Sequence, residues 1–237
     1  MKSSTSKIAL GKPSDKGDKI LERRYNLAGK LSNILQSGGK LLDIGCGGGA
    51  QTEWFIDNFA LTVGVDVRYE ALKDSDADAS FICAAGEYLP FADESFDAVI
   101  SFEVLEHVED PGMMMREIFR VLKAGGEAVI TVPNKWWIFE IHGAYLPVLP
   151  WNRVPFFSWL PEKLHDKWAK ARIYTQKKLT AAIKVGGFQN YHLYYITAPM
   201  DRAKPEFLKK LLQSSLFSAE LARIPILATN ILAVLKK

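Results

Sequence analysis

At 237 residues and 48% hydrophobic, the chain is long enough to bury one substantial core, and a net charge of +3 is too small to point to nucleic acid as a partner. Its two cysteines, Cys46 and Cys83, sit in apolar, strand-like contexts, so the reading is a reduced cytoplasmic protein rather than a disulfide framework. Residues 1–19 are polar and punctuated by glycine, with no apolar central run, and read as a flexible lead-in rather than a signal peptide.

The first element is a helix in KILERRYNLAGKLSNIL, where Leu27, Leu31, Ile34 and Leu35 recur at helical spacing before SGG ends it. KLLDIG follows as a strand that stops on a glycine run, Gly45, Gly47, Gly48 and Gly49. QTEWFIDNF reads as a helix and LTVGVDV as the next strand, ending on the acid Asp66; strand, crossover helix and strand in about thirty residues make the unit of a parallel sheet. SFICAAG, FDAVISF and GGEAVITVP continue as strands, with MMMREIFRVLKAGG as an amphipathic helix closed by glycine. Residues 134–176 break the rhythm: they hold five of the six tryptophans among scattered prolines and fit no single period, the mark of a lid or binding loop. The alternation resumes with the helix QKKLTAAIKVGGF, the strand YHLYYIT, the helix PEFLKKLLQSSL and the strand ATNILAVLKK. The apolar tail LARIPILATNILAVL is interrupted by Arg223 and Pro225 and is too short to span a bilayer comfortably, so it reads as a buried strand.

A strand, a glycine-rich turn and a helix start form a nucleotide-sized cradle. Counting from Gly45 the turn reads G-C-G-G-G-A, with Ala50 where dinucleotide sites place their last glycine. Asp43, just before the first glycine, would repel a pyrophosphate but can help hold a cationic amino-acid moiety. That favours S-adenosylmethionine.

The motifs LLDIGCGGG, VGVDV, GEYLPFADESFDAVIS, EVLEHVEDP, REIFRVLKAGGEAVITVPN and KKLTAAIKVGGF, in that order, resemble the class I S-adenosylmethionine-dependent methyltransferases over roughly residues 20–237. EVLEHVEDP, and VLKAGG followed by TVPN, look most like the small-molecule O-methyltransferases of ubiquinone biosynthesis. The resemblance implies an α/β fold: a Rossmann-like, seven-stranded, mostly parallel sheet with a reversed last strand, helices on both faces and an aromatic cap, 134–176, inserted after the fifth strand. It implies S-adenosylmethionine as methyl donor and a small apolar or aromatic acceptor, methylated at oxygen in preference to carbon or nitrogen. A methyltransferase of protein or nucleic acid and a non-catalytic cofactor-binding protein are the rival readings. Neither a basic groove nor an N-P-P-Y-like motif supports the first rival, and a homodimer and a peripheral membrane contact stay open.

On this reading Gly45, Gly47 and Gly48 let the backbone approach the methionine part of the cofactor, and Asp66 accepts from both ribose hydroxyls, since a carboxylate offers paired acceptors. Cys46, Val67 and Phe102 complete the expected lining at the strand ends. Arg24 resembles the arginine that ubiquinone-type enzymes set near the cofactor carboxylate, with a solvated helix-face arginine as its alternative. Where the family commonly carries an aspartate for the adenine amino group this chain has Ala85, so adenine falls to backbone groups around Gly86 and Glu87. Glu103, Glu106 and His107 stand at i, i+3 and i+4 of an incipient helix and so can face the site together. They could ligate magnesium, but a metal is not favoured, and His107 reads as a general base or a pocket wall. His142, in the cap, is the second candidate base.

Overall fold

The computed structural model describes residues 9–11, 15–140, 142–145, 155–201 and 204–237, so part of the expected lead-in and part of the aromatic insertion lie outside the described residues. Seven strands form one sheet in the order β3-β2-β1-β4-β5-β7-β6: β1 Gly38–Ile44, β2 Phe59–Asp66, β3 Ser80–Cys83, β4 Phe96–Phe102, β5 Leu122–Pro133, β6 Asn190–Thr197 and β7 Ala228–Lys236. β1 pairs in parallel with β2 and β4, β2 with β3, and β4 with β5. β7 is reversed: Lys237 donates to the carbonyl of Gly126 and Asn134 to that of Thr229, so numbers rise along β5 as they fall along β7. The expected seven-stranded architecture is present.

Helices flank the sheet: α1 Lys19–Leu31, α2 Tyr69–Lys73, α3 Pro111–Val121, α4 Glu162–Trp168, α5 Gln176–Val185 and α6 Glu206–Gln213. The chain divides into two compact units, one of residues 10–131, 180–192 and 233–237, the other of residues 132–179 and 193–232 with residue 9.

In the first unit the central strand is sealed on both faces, with Leu41, Leu42, Asp43 and Ile44 all buried, as the strands of a parallel sheet require. α1 begins where the Asp18 side chain accepts from the Ile20 N–H, and it buries Leu21, Leu27 and Ala28. α3 combines an Asp110 cap on the Met113 N–H with Pro111 at its first turn, and buries Met114, Met115, Ile118 and Val121. At the end of α5, Gly186 lies so close to α3 that a Cβ there would stand 2.5 Å from Met115 Cβ, which is why glycine closes this helix.

Two sequence expectations are corrected. QTEWFIDNF holds only two short 3-10 turns, Thr52–Trp54 and Ile56–Asn58, because the Thr52 hydroxyl is tied back to Asp43 and β2 already begins at Phe59. The helix read through LKAGG stops at Val121, since Leu122 turns extended and pairs with Phe96 as the start of β5.

The second unit contains the aromatic insertion. Asn134 brackets its entry, the side-chain amide donating to the carbonyls of Pro225 and Ala228 at 2.7 Å each while Oδ1 accepts from the Trp136 N–H. Ala144, Phe157 and Ala169 form a small core with Leu160 and Trp168 packed on it. The tail expected as a buried strand is β7, and among the described residues no helix is long and apolar enough to cross a membrane.

Candidate functional site

At the carboxyl ends of β1 and β2 the chain turns sharply. The N–H groups of Gly45 and Cys46 both donate to the Val65 carbonyl, at 2.7 and 3.1 Å, folding the turn over the end of β2. Gly45 has φ +78°, and a Cβ on it would lie 2.2 Å from Val104 Cγ2, so both conformation and space demand glycine. Gly47 and Gly49 also take positive φ. The result is an exposed backbone cradle closed on one side by the β4 exit.

Asp43 sits beneath this turn, buried, with its Oδ2 accepting from the Thr52 hydroxyl at 2.7 Å. Burial pushes its carboxyl up to about 7; the Thr52 bond and Arg24 oppose that, and the neighbouring Asp66 adds to it. Its place under the glycines makes it a support of the turn. Arg24 lies over the Phe102 ring at 5.6 Å from the centroid, at the same strand ends. Cys46 is buried with its thiol on the Gly47 carbonyl, and burial, followed by the two aspartates, pushes the thiol up, so it is packing rather than a nucleophile.

Asp66 is where sequence reasoning falls short. Its Oδ2 accepts from the Gly47 N–H at 2.9 Å and its Oδ1 from the Arg68 N–H at 2.9 Å. The Arg68 side chain then folds back on the same carboxylate, Nε to Oδ1 at 3.0 Å and Nη2 to Oδ2 at 3.1 Å, while Nη1 donates to the Gly11 carbonyl at 2.6 Å. About four acceptor positions are available on a carboxylate, and here all four are filled by the protein. The backbone bonds shape the turn; the two guanidinium bonds occupy the positions a ribose diol would use. Only the alternation of residues past an acidic strand end hinted at Arg68.

Of the residues expected near adenine, Gly86 packs on Ile44 and Met114 with no room to spare, a Cβ meeting them at 3.1 and 3.3 Å. Val67 is exposed beside Asp66. Glu87 is buried with a structural task, its Oε1 accepting from the N–H groups of Glu109 and Asp110 at the entry to α3.

Glu103, Glu106 and His107 are not on a helix, because the chain leaves β4 through a strained turn and α3 begins only at Pro111. Glu103 takes φ +60°, rare for a residue with a side chain, and its Oε1 accepts from the Thr131 hydroxyl at 2.9 Å. Glu106 is wholly buried with an oxygen 3.8 Å from His107 Nε2. The shared helical face expected for the three is therefore absent: Glu103 turns to β5, and Glu106 pairs with His107. His107 also lies under Gly11, where a Cβ would approach its ring to 3.0 Å.

His142 belongs to the other unit. Its N–H donates to Glu140 Oε1 at 3.0 Å, and its Nδ1 is 3.8 Å from the same oxygen. Glu140 is buried; that burial raises its carboxyl, but His142 and His165 more than offset it and hold the group down at about 2. His165, fully buried on α4, places Nε2 3.3 Å from Glu140 Oε2 and Nδ1 2.9 Å from Asp166 Oδ1. No sequence period joins Glu140 to His165, and this cluster was not foreseen.

The methyltransferase domain family matches residues 42–130. The ubiquinone biosynthesis O-methyltransferase of Pseudomonas fluorescens is 30% identical over 175 residues, covering 67% of this chain and 70% of the relative. The mitochondrial ubiquinone biosynthesis O-methyltransferase of Rattus norvegicus is 39% identical over 110 residues, but these cover 42% of this chain and only 32% of that protein, so the chain matches about a third of its length. A solved Thermotoga maritima S-adenosylmethionine-dependent methyltransferase, described as a possible histamine N-methyltransferase, covers 92% of the chain with a TM-score of 0.63 at 16% identity, a likeness of fold.

Proposed function

Because the chain belongs to the class I S-adenosylmethionine-dependent methyltransferases, of the ubiquinone-biosynthesis O-methyltransferase type, we propose that it transfers a methyl group to a phenolic oxygen of a small apolar acceptor. The observation that carries this reading is the glycine cradle over Asp43 with Asp66 at the next strand end. The residues fit the cofactor: the turn takes the positive φ that close backbone approach needs, and the two acceptor positions on Asp66 are held by a side chain that can leave. When bound, S-adenosylmethionine supplies an electrophilic methyl group.

The chain's own part is to bind and orient. Gly45 and Gly47 shape the cradle, Arg24 offers a cation for a carboxylate, and the backbone near Gly86 borders the adenine side. The acceptor oxygen must lose a proton as it gains carbon, which calls for a base. Of the four histidines His165 is sealed and His192 stands exposed at the start of β6, leaving His107 and His142. The tryptophans of the insertion supply apolar surface suited to a phenol with a prenyl tail, in keeping with the relatives' names. The two free thiols agree with work in the reducing cytoplasm.

The test is to incubate the full chain with S-adenosylmethionine labelled at the methyl carbon and, separately, a prenylated phenol, the same phenol without its tail, and an aromatic amine. Label on the oxygen of the prenylated phenol, with slower transfer to the other two, supports the reading. Label on the amine alone, or on protein, would replace it.

A further inference from the structure

The insertion's polar interior has a direction. Along Asp166, His165, Glu140 and His142, carboxylate and imidazole alternate: Asp166 Oδ1 to His165 Nδ1 at 2.9 Å, His165 Nε2 to Glu140 Oε2 at 3.3 Å, and Glu140 Oε1 to the N–H and Nδ1 of His142 at 3.0 and 3.8 Å. The two interior members are fixed. His165 is fully buried on α4 with the Phe157 ring packed on it at 5.1 Å, and Glu140 is sealed beside it. The ends differ: Asp166 is half-exposed, and His142 keeps part of its ring accessible. A buried carboxylate whose two oxygens are each assigned to a histidine cannot rotate freely, and such groups are costly to bury without a specific arrangement.

We propose that Glu140, held by His165 and Asp166, is a positioning residue that sets the tautomer and orientation of His142, and that His142 is the base of the methyl transfer. The proposal rests on the O-methyltransferase reading. A carboxylate facing Nδ1 keeps the ring proton on that nitrogen, which leaves the Nε2 lone pair open to receive another. The acceptor's O–H proton passes to His142 Nε2 as the O–C bond forms; the S–C bond breaks, its electron pair stays on sulfur, and neutral S-adenosylhomocysteine leaves. The proton is then released from the imidazolium to water. His165 and Asp166 take no part in the bond changes; they act through Glu140.

The experiment combines ring-nitrogen NMR of the full-length chain with kinetics on a prenylated phenol, for the wild type and for Glu140→Gln, Asp166→Asn and His142→Ala. The wild type should show His142 as its Nδ1-protonated form. Glu140→Gln should shift that signal toward the other tautomer and lower kcat tenfold or more, with the KM for the phenol and the affinity for S-adenosylhomocysteine within twofold of wild type. A residue that only supports the fold would change stability without this split. Should Glu140→Gln fail to fold, Asp166→Asn at the exposed end of the chain decides, with a loss in kcat of about threefold and a smaller shift of the same signal. An unchanged tautomer with kcat within twofold overturns the positioning role. A His142→Ala variant as active as wild type overturns the base assignment. A wild-type chain that transfers no methyl group overturns the reading beneath both, while the NMR signal still shows whether Glu140 governs the ring.

Discussion

Replacing Arg68 with alanine should tighten cofactor binding, an unusual outcome for deleting a charged residue at a candidate site. The Asp66 carboxylate has four hydrogen bonds, and the two a ribose diol needs are held by Arg68 Nε and Nη2. A charge-assisted bond is worth about 1.5 to 3 kcal/mol. The Arg68 side chain is 25% exposed, however, so its guanidinium recovers water on leaving, and exposed ion pairs contribute only about 0.2 to 1 kcal/mol. The Nη1 bond to the Gly11 carbonyl adds roughly 1 kcal/mol that must also be broken. Together these place the cost of vacating Asp66 at about 1 to 2.5 kcal/mol, and at 1.4 kcal/mol per decade Arg68→Ala should lower the Kd for S-adenosylhomocysteine by roughly 5- to 50-fold. Arg68→Lys should give part of this, since an ammonium cannot make the fork. Isothermal titration calorimetry reads both. A Kd raised fivefold or more in Arg68→Ala would refute the reasoning and make Arg68 a cofactor contact or a necessary brace for Asp66.

Two buried acids should give stability profiles of opposite slope. Asp43 titrates near 7 in the folded chain against an ordinary 3.8, so the folded state holds an extra proton between those values and stability falls as pH rises through that window, levelling above it; Asp43→Asn should flatten the slope in urea titrations. Glu140 titrates near 2 against 4.5, so the unfolded chain binds the extra proton, and stability present above pH 4.5 is lost as pH falls toward 2, by up to about 3 kcal/mol, with Glu140→Gln removing that dependence. Gly45→Ala combines φ +78° with a 2.2 Å clash on Val104, and should cost about 2 to 4 kcal/mol in thermal unfolding as well as cofactor binding; a variant melting within a degree of wild type would mean that the turn readily rearranges.

The sheet was legible because its strands are short apolar runs stopped by acids and glycines, and Asp43, Gly45 and Asp66 fall at the aligned strand ends where the pattern put them. Errors arose where local pattern met a tertiary restraint. QTEWFIDNF has helical composition, yet nine residues cannot hold a helix once Thr52 is bound to Asp43 and Phe55 is drawn into the core. VLKAGG continues a helical run, but Leu122 is claimed by Phe96 on β4. The site was half legible. Residue type identified Asp66 and His142 as candidates, but an arginine folding back across two residues depends on turn dihedrals, and the Glu140–His165 pairing spans 25 positions of aperiodic chain. Glu103 was misplaced for the same reason, its positive φ turning the side chain toward Thr131.

The central claim is that the glycine cradle and Asp66 hold S-adenosylmethionine. Calorimetric titration of the wild-type chain and of Asp66→Ala with S-adenosylmethionine tests it most directly. The account predicts one cofactor per wild-type chain and a loss of about 1.5 to 3 kcal/mol in Asp66→Ala, the value of a charged hydrogen bond. No binding by wild type, or equal affinity in the variant, would contradict it.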